Sequence, residues 1–340
     1  MSEIDPKHKV AILKVLRDAG EPLSSGEVSS RIQAYGLDPS PRTVRLYLQK
    51  LAESGWVEEA TRGRGGGRSI TPRGAAEIEG AGTLDRLGFT SARVDRLAWE
   101  MTYDPLRGEG AVVLNVTILN RAELPHAVRE MSVVFQAGLG MGHFAALLGP
   151  GTRVGSVTIP ENRVGIGTIC SVTVNGGLLS HRIPTLSRFG GILEMRDRQP
   201  ARFTELIAYE GTTLDPLDVF IKARLTNVHG AAITGNGRIG VSFREVPTAA
   251  LDQVEEVRGQ LAAAGLGGIL MVGKPNQPVL DLPVGYGRTG LVIVGGLNPA
   301  AAIEEAGIAT ENRALCNLYE FKELIHYRDL QSKALALAAR

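Results

Sequence analysis

Apolar residues in the first part of the chain recur at helical spacing and predict two short helices. The first covers residues 7–19 and stops at Gly20. The second begins after Ser24, with Glu27 three residues later as the partner in a capping box. The positions that predict the buried face of the first helix are Val10, Ile12, Leu13 and Leu16.

A third predicted helix, over residues 41–51, separates apolar from basic positions more sharply. Ser40 is placed to cap it, and Pro41 occupies its first turn, where the missing N–H of proline costs nothing. The face predicted to be buried carries Val44, Leu48 and Leu51. The exposed face and its flank carry Arg42, Arg45, Gln49 and Lys50.

Two short strands follow, joined by a loop rich in glycine and arginine. The strands are predicted at 56–59 and 69–71, and the segment between them carries Arg62, Arg64 and Arg68. Three short helices followed by such a hairpin are typical of a winged helix-turn-helix domain. We predict this domain for residues 1–75.

The winged helix predicts an interface with double-stranded DNA. Its third helix would enter the major groove, where arginine suits guanine and glutamine suits adenine. Hydroxyl groups at the start of that helix suit phosphate, and the wing arginines would follow the backbone or the minor groove. Alternatives are a basic helix that is simply solvated, or a winged helix that binds protein. The predicted DNA-binding residues are Ser40, Arg42, Thr43, Arg45, Gln49, Lys50, Arg62, Arg64 and Arg68.

After a predicted linker over residues 76–92, the chain repeats itself. The matched segments are 108–110 with 235–237, 137–140 with 264–267, and 163–166 with 288–291. Their offsets stay at 125 to 127 residues, which predicts two tandem copies of one unit. Because strands alternate with helices in each copy, we predict an α+β protein. Its regulatory domain would contain two tandem α/β repeats, 93–213 and 214–330, related by a pseudo-twofold axis.

Each repeat contains a turn between a buried strand and a helix that suits a small anion. In the second repeat two glycines follow the strand and an asparagine is predicted to cap the helix, whose free N–H groups and positive end lie at the turn. The corresponding turn of the first repeat offers hydroxyl, amide and thiol groups. The alternative is two tight turns that need glycine for packing alone. The predicted effector-binding residues, which together suit a small carboxylate, are Cys170, Ser171, Thr173, Asn175, Gly295, Gly296 and Asn298.

Composition and charge add limits. The 340 residues allow two or three domains, and the formal net charge is +1. Two distant cysteines argue against structural zinc, and no secretion signal or membrane-length apolar run is found, so we expect a cytoplasmic protein. No metal-ligand spacing of histidines and no nucleophile motif is present, so we expect no cofactor and no enzyme activity.

Three longer segments resemble the NrpR family, the nitrogen-regulatory repressors of methanogenic archaea. These segments are 163–176, 208–216 and 294–299. The resemblance covers roughly residues 84–325, and residues 8–75 are similar to the winged helix of that family. It implies a repressor that binds operator DNA as a dimer or higher oligomer. It also implies that 2-oxoglutarate is the effector and releases the protein from DNA.

We therefore predict a DNA-binding transcriptional regulator of nitrogen-related genes, controlled by a small carboxylate. Its expected partners are double-stranded operator DNA, the effector and further copies of the same chain, without a membrane. Two alternatives stay open. One is an enzyme that acts on a small carboxylate and uses the winged helix as a docking module. The other is an RNA-associated regulator, since winged helices also occur beside ribonucleases.

Overall fold

The chain divides into two compact units, Met1–Arg86 and Leu87–Arg340. The computed structural model describes residues 4–59, 67–80, 89–155 and 157–338. Part of the predicted linker 76–92 is helical, because helix Pro72–Gly80 runs into it and helix Phe89–Glu100 begins within it.

The first unit is a winged helix, as predicted. Its elements are helices α1 (Pro6–Ala19), α2 (Ser25–Arg31) and α3 (Pro41–Glu53), strands β1 (Val57–Glu59) and β2 (Arg68–Ile70), and helix α4 (Pro72–Gly80). Ser24 and Glu27 form the predicted capping box at α2, and Ser40 caps α3. Strands β1 and β2 pair antiparallel. One hydrophobic core joins α1, α2, α3 and β1.

The second unit is built from helices and antiparallel strands. Its first half contains α5 (Phe89–Glu100), β3 (Ala111–Asn120), α6 (Leu124–Gln136), β4 (Phe144–Leu148), β5 (Arg153–Val154), β6 (Val157–Thr158), β7 (Arg163–Ile169), α7 (Val172–Ser180), β8 (Leu186–Arg196) and β9 (Gln199–Ala208). Its second half contains α8 (Pro216–Lys222), α9 (Val228–Thr234), β10 (Gly237–Pro247), α10 (Leu251–Ala263), β11 (Ile269–Val272), β12 (Arg288–Val294), α11 (Asn298–Glu305), β13 (Thr310–Glu320), β14 (Ile325–His326) and α12 (Tyr327–Ala338).

The predicted repeat is confirmed in the order of these elements. The series β3, α6, β4, β7, α7, β8 returns as β10, α10, β11, β12, α11, β13. Both copies open with a long strand after a glycine turn, and both place a helix directly after the buried strand β7 or β12. The predicted unit closed with this second helix. The structure adds one further strand to each copy, β8 or β13, which the sequence pattern did not identify.

These two added strands are exchanged between the repeats. In the described residues one five-stranded sheet has the order β13-β3-β7-β4-β14, and the other has the order β11-β12-β10-β8-β9. Strand β8 of the first repeat therefore pairs with β10 of the second, and β13 of the second pairs with β3 of the first. Each sheet is completed by the other repeat.

Helices of the two repeats also pack against each other across the boundary between the repeats. Helix α6 of the first repeat packs against α11 of the second, and α10 of the second packs against α7 of the first. Apolar side chains of α6, α11 and α12 share one core cluster, and those of α7 and α10 share another. The turns that precede α7 and α11 are thereby buried where the two repeats meet. No helix in the described parts of the chain is both long and apolar enough to cross a membrane.

Candidate nucleic-acid interface and effector site

Helix α3 presents three of the nine predicted DNA-binding side chains to solvent. Its apolar face is buried in the winged-helix core through Val44, Leu48 and Leu51. This anchoring directs Arg42, Arg45 and Gln49 outward, where all three are exposed, while Lys50 on the flank is half-buried. The structure thus places three of the predicted base-reading residues on one accessible surface.

The first turn of α3 is fixed by its own hydroxyl groups. The Ser40 Oγ accepts a hydrogen bond from the Thr43 backbone N–H at 3.2 Å and lies 2.9 Å from the Thr43 Oγ1. These bonds define where the helix begins. Ser40 is exposed and Thr43 is half-buried, so the predicted phosphate contacts would be made from an already ordered turn.

The wing arginines divide into two groups. Arg62 and Arg64 lie outside the described residues. Arg68 lies at the base of the wing, where its guanidinium forms a salt bridge with Glu59 across the β1–β2 ladder. Its backbone also exchanges hydrogen bonds with Leu23, at 2.8 and 3.0 Å. Arg68 therefore braces the hairpin against the segment before α2, and a role in DNA contact remains a prediction.

The two predicted effector turns occupy equivalent positions in the repeats. The Cys170 N–H, after strand β7, donates to the Val113 carbonyl at 2.7 Å. The Gly295 N–H, after strand β12, donates to the Gly240 carbonyl at 2.9 Å. Val113 and Gly240 themselves correspond, since they stand at the same place in the opening strands β3 and β10. The same backbone link is therefore made twice, once in each repeat.

Asn298 does not cap helix α11, and that prediction is wrong. The cap position is Leu297, without a side-chain hydrogen bond. Instead, the buried Asn298 Oδ1 accepts from the Gly240 N–H at 2.8 Å. Its Nδ2 donates to the carbonyls of Leu139 and Gly240, at 2.9 and 3.0 Å. The side-chain amide of Asn298 is thus fully used in hydrogen bonds to backbone groups that are distant in sequence.

Thr173 has the same role in the first repeat that Asn298 has in the second. Its Oγ1 accepts a hydrogen bond from the Val113 N–H at 3.2 Å, and the residue is fully buried. Asn175, two residues further along α7, donates from its Nδ2 to the Ser187 Oγ at 3.1 Å. Its Oδ1 has no partner in the described structure.

The glycines after β12 are required by close packing. A Cβ atom at Gly296 would lie 2.3 Å from the Ile169 carbonyl oxygen, and one at Gly295 would lie 2.5 Å from the Leu217 side chain. The Gly296 carbonyl accepts a hydrogen bond from the Thr168 Oγ1 at 2.8 Å. The end of β7 and the turn after β12 therefore touch directly, so the packing reason for glycine holds here whether or not a ligand binds.

A small cavity of about 20 Å³ lies where these turns meet. Three predicted residues line it, namely Cys170, Ser171 and Gly296, whereas Thr173, Asn175, Gly295 and Asn298 are not among its lining residues. Lining residues that sequence reasoning missed include Asn115, Tyr209 and Asp215. Three of the seven predicted residues thus converge, on a space that holds about one water.

Arg244 is the charged group behind this cavity, and it was not predicted. Its side chain, on β10, is 1% exposed. The Nη1 and Nη2 groups donate to the Ser171 carbonyl and Oγ at 2.8 and 2.9 Å, and the Nε has no partner in the described structure. Burial lowers the pKa of Arg244 to about 10, so it stays charged at neutral pH. Within the described residues, no salt-bridge partner is found for it.

Burial also controls the acidic groups around the cavity. It raises the pKa of the Cys170 thiol to about 11, which leaves the thiol neutral and unreactive at pH 7. It raises the pKa of Asp215 to about 6, against the hydrogen bonds from Leu217 and Asp218 that favour the ionised form. Through these bonds, at 3.0 and 3.2 Å, Asp215 caps α8. No cluster of metal-ligating side chains is found in the described residues.

Two protein families match this chain. Residues 87–326, more than half of the chain, match the family described as NrpR regulatory domains NRD1 and 2. Residues 10–78 match the ribonuclease R winged-helix domain. The first match covers the strand-exchanged repeats up to β14 and ends before α12, and the second covers most of the winged helix.

Curated proteins and solved structures give consistent likenesses. The chain is 29% identical to the global nitrogen regulator NrpRI of Methanosarcina mazei over 321 residues, 93% of this chain and 96% of that protein. It is 26% identical to the global nitrogen regulator NrpR of Methanococcus maripaludis, over 94% of this chain but 55% of that protein. A crystal structure of a nitrogen repressor-like protein from Methanococcus jannaschii superposes with a TM-score of 0.59 at 27% identity, over 71% of this chain and 98% of that chain.

Proposed function

The chain belongs to the family of NrpR regulatory domains, and from this premise we propose that it is a DNA-binding repressor of nitrogen-related genes, controlled by a small carboxylate. Its relatives are named global nitrogen regulators, which points away from an enzyme. The observation that carries the DNA-binding part is the exposed face of α3 with Arg42, Arg45 and Gln49. These side chains suit base edges in the major groove.

The proposed effector is 2-oxoglutarate, bound where the two repeats meet. Arg244 supports an anionic ligand, because a buried guanidinium without a salt-bridge partner among the described residues is costly and a carboxylate would compensate it. Because the cavity beside Ser171 holds about one water, entry of the ligand must separate its walls. Those walls come from both repeats, so binding would change how the repeats are arranged.

The proposed control is a linkage between effector and DNA. In a homodimer the spacing of the two winged helices sets the distance between the two half-sites that they read. An effector that prefers the spacing unsuited to the operator lowers DNA affinity by its differential affinity for the two states. The operator of such a dimer is palindromic.

The test uses the full chain with duplexes that it selects from a random library. Fluorescence anisotropy measures its affinity for a selected duplex with and without 2-oxoglutarate, and calorimetry measures binding of 2-oxoglutarate itself. We expect specific duplex binding that weakens when 2-oxoglutarate is added. Failure to select any duplex at low salt refutes the DNA-binding part. Duplex binding with no calorimetric signal and no response refutes the effector part.

RNA is the second candidate ligand, because residues 10–78 match a winged-helix domain of ribonuclease R. A gel shift that compares duplex DNA with structured RNA separates the two candidates. Preference for structured RNA, with no duplex selected, would establish the second candidate in place of the first.

A further inference from the structure

Leu46 is an apolar side chain on the basic face of α3. It is 51% exposed, whereas Val44 and Leu48, two residues before and after it, are buried in the winged-helix core. Leu46 therefore contributes little to that core. Its neighbours along the exposed face are the charged or polar residues Arg45 and Gln49.

Helix geometry places Leu46 among the residues proposed to read bases. At about 3.6 residues per turn, Arg42, Arg45, Leu46 and Gln49 fall within about 100° of arc around the axis of α3. Leu46 follows Arg42 by four residues, so the two side chains are neighbours on the helix surface. A groove that receives Arg42 and Gln49 must also receive Leu46.

Resting on the proposed DNA binding, we propose that Leu46 reads the C5 methyl group of a thymine in the major groove. The thymine methyl is the apolar group that base edges present there, and apolar side chains recognise it. Four residues of helix span about 6 Å. Since stacked base pairs are about 3.4 Å apart, the thymine lies about two base steps from the base that Arg42 contacts.

The same side chain argues for DNA over RNA as the ligand. Uracil has no C5 methyl group for Leu46 to contact. The major groove of A-form RNA is also too deep and narrow for side chains to read. An exposed leucine at this position therefore has a partner in a DNA groove and none in an RNA helix.

The test removes the methyl group from the DNA and the leucine from the protein. A duplex selected by the full wild-type chain is remade with uracil in place of each thymine in turn, and anisotropy gives the affinity of each. We expect about fourfold weaker binding at one position per half-site, which corresponds to about 0.8 kcal/mol for one buried methyl group. Leu46→Ala should bind the thymine and uracil duplexes equally. Leu46→Met, which keeps an apolar side chain of similar size, should retain the preference for thymine.

The matched control is Leu335→Ala, a leucine on α12 that is 55% exposed and outside the proposed DNA surface. It should bind like the wild type and keep the thymine preference. The proposal is overturned if the wild type tolerates uracil at every position, or if Leu46→Ala keeps the preference. Those outcomes leave DNA binding intact, whereas a chain that selects no duplex fails at the proposed function itself.

Discussion

Replacing Asn298 with alanine should loosen the junction of the repeats without affecting the winged helix. The substitution removes the hydrogen bonds that the amide makes to the Gly240 N–H, the Gly240 carbonyl and the Leu139 carbonyl. The Gly240 carbonyl keeps a donor, the Gly295 N–H at 2.9 Å. The change therefore leaves two buried groups without a hydrogen-bond partner, the Gly240 N–H and the Leu139 carbonyl.

The expected loss of unfolding free energy follows from the number of buried groups that lose their hydrogen-bond partner. Each buried polar group left without a partner costs about 1–3 kcal/mol, so Asn298→Ala should cost about 2–6 kcal/mol. Thr173→Val is the matched control at the equivalent position, because it keeps the side-chain shape and leaves one group, the Val113 N–H, without its hydrogen-bond partner. It should cost about 1–3 kcal/mol.

Hydrogen–deuterium exchange of the full chain measures both effects. Opening free energies are compared for peptides that cover β10 (Gly237–Pro247), β3 (Ala111–Asn120) and, as an internal reference, α3. Asn298→Ala should expose the β10 amides, and Thr173→Val should expose those of β3 to a smaller degree. Wild-type protection of β10 in Asn298→Ala, or a larger effect of Thr173→Val, would refute this account of the junction.

Three further predictions concern the two sites. Replacing Arg42 and Arg45 with alanine should abolish specific DNA binding, at about 1–3 kcal/mol each, with an unchanged circular dichroism spectrum; retained operator affinity would contradict the assignment of α3. Arg244→Met should weaken calorimetric binding of 2-oxoglutarate about 100-fold, as for a buried charge pair that loses one partner, whereas Arg238→Met, exposed on the same strand, should not. Because the pKa of Asp215 is raised from 3.8 to about 6 in the folded protein, its stabilising contribution is present at low pH and is lost as the pH rises through 6. Asp215→Asn keeps a capping side chain but does not titrate, so its unfolding free energy relative to that of the wild type should rise by about 1 kcal/mol from pH 5 to pH 7. Denaturant unfolding that gives the same difference between variant and wild type at both pH values would count against this.

Local signals in the sequence were enough for the winged helix. The capping box of Ser24 with Glu27 and the cap at Ser40 act within one helical turn, so the residue pattern contains them completely. The repeat was also predictable, because it depends on comparing the chain with itself. Neither the helix caps nor the repeat requires knowledge of which elements pack against each other in the fold.

The features that failed depend on distant contacts. Strands β8 and β13 cross to the other repeat, and no local pattern specifies a partner strand so far away in sequence. Asn298 has the residue type of a helix cap, but Gly240 and Leu139, 58 and 159 residues away, bind its amide instead. Arg244 was not singled out by the sequence pattern, because its strand β10 also contains the charged residues Arg238 and Glu245. Its significance depends on Ser171 lying opposite it.

The packing of Gly296 also limits one experiment. Replacing Gly296 with a bulky residue would be one way to prevent the effector from binding. The Cβ atom of the new residue would meet the Ile169 carbonyl oxygen and the Cys170 Cα, so the backbone at the end of β7 would have to shift. Loss of response in such a variant would not separate a blocked site from a distorted one. Arg244→Met offers the cleaner substitution because the new side chain is smaller than the one it replaces, so no backbone atom has to move to make room for it.

The exchange of β8 and β13 has a consequence for any attempt to halve the regulatory unit. A polypeptide ending before α8 would keep β3, β7 and β4 but would lack β13 and β14, and its own β8 would have no β10 to join. Such a fragment presents three unpaired strand edges, on β3, β4 and β8, which invite aggregation unless a complementary fragment supplies the missing strands. Two halves synthesised as separate polypeptides should therefore be recovered as a complex, and either one alone should be insoluble.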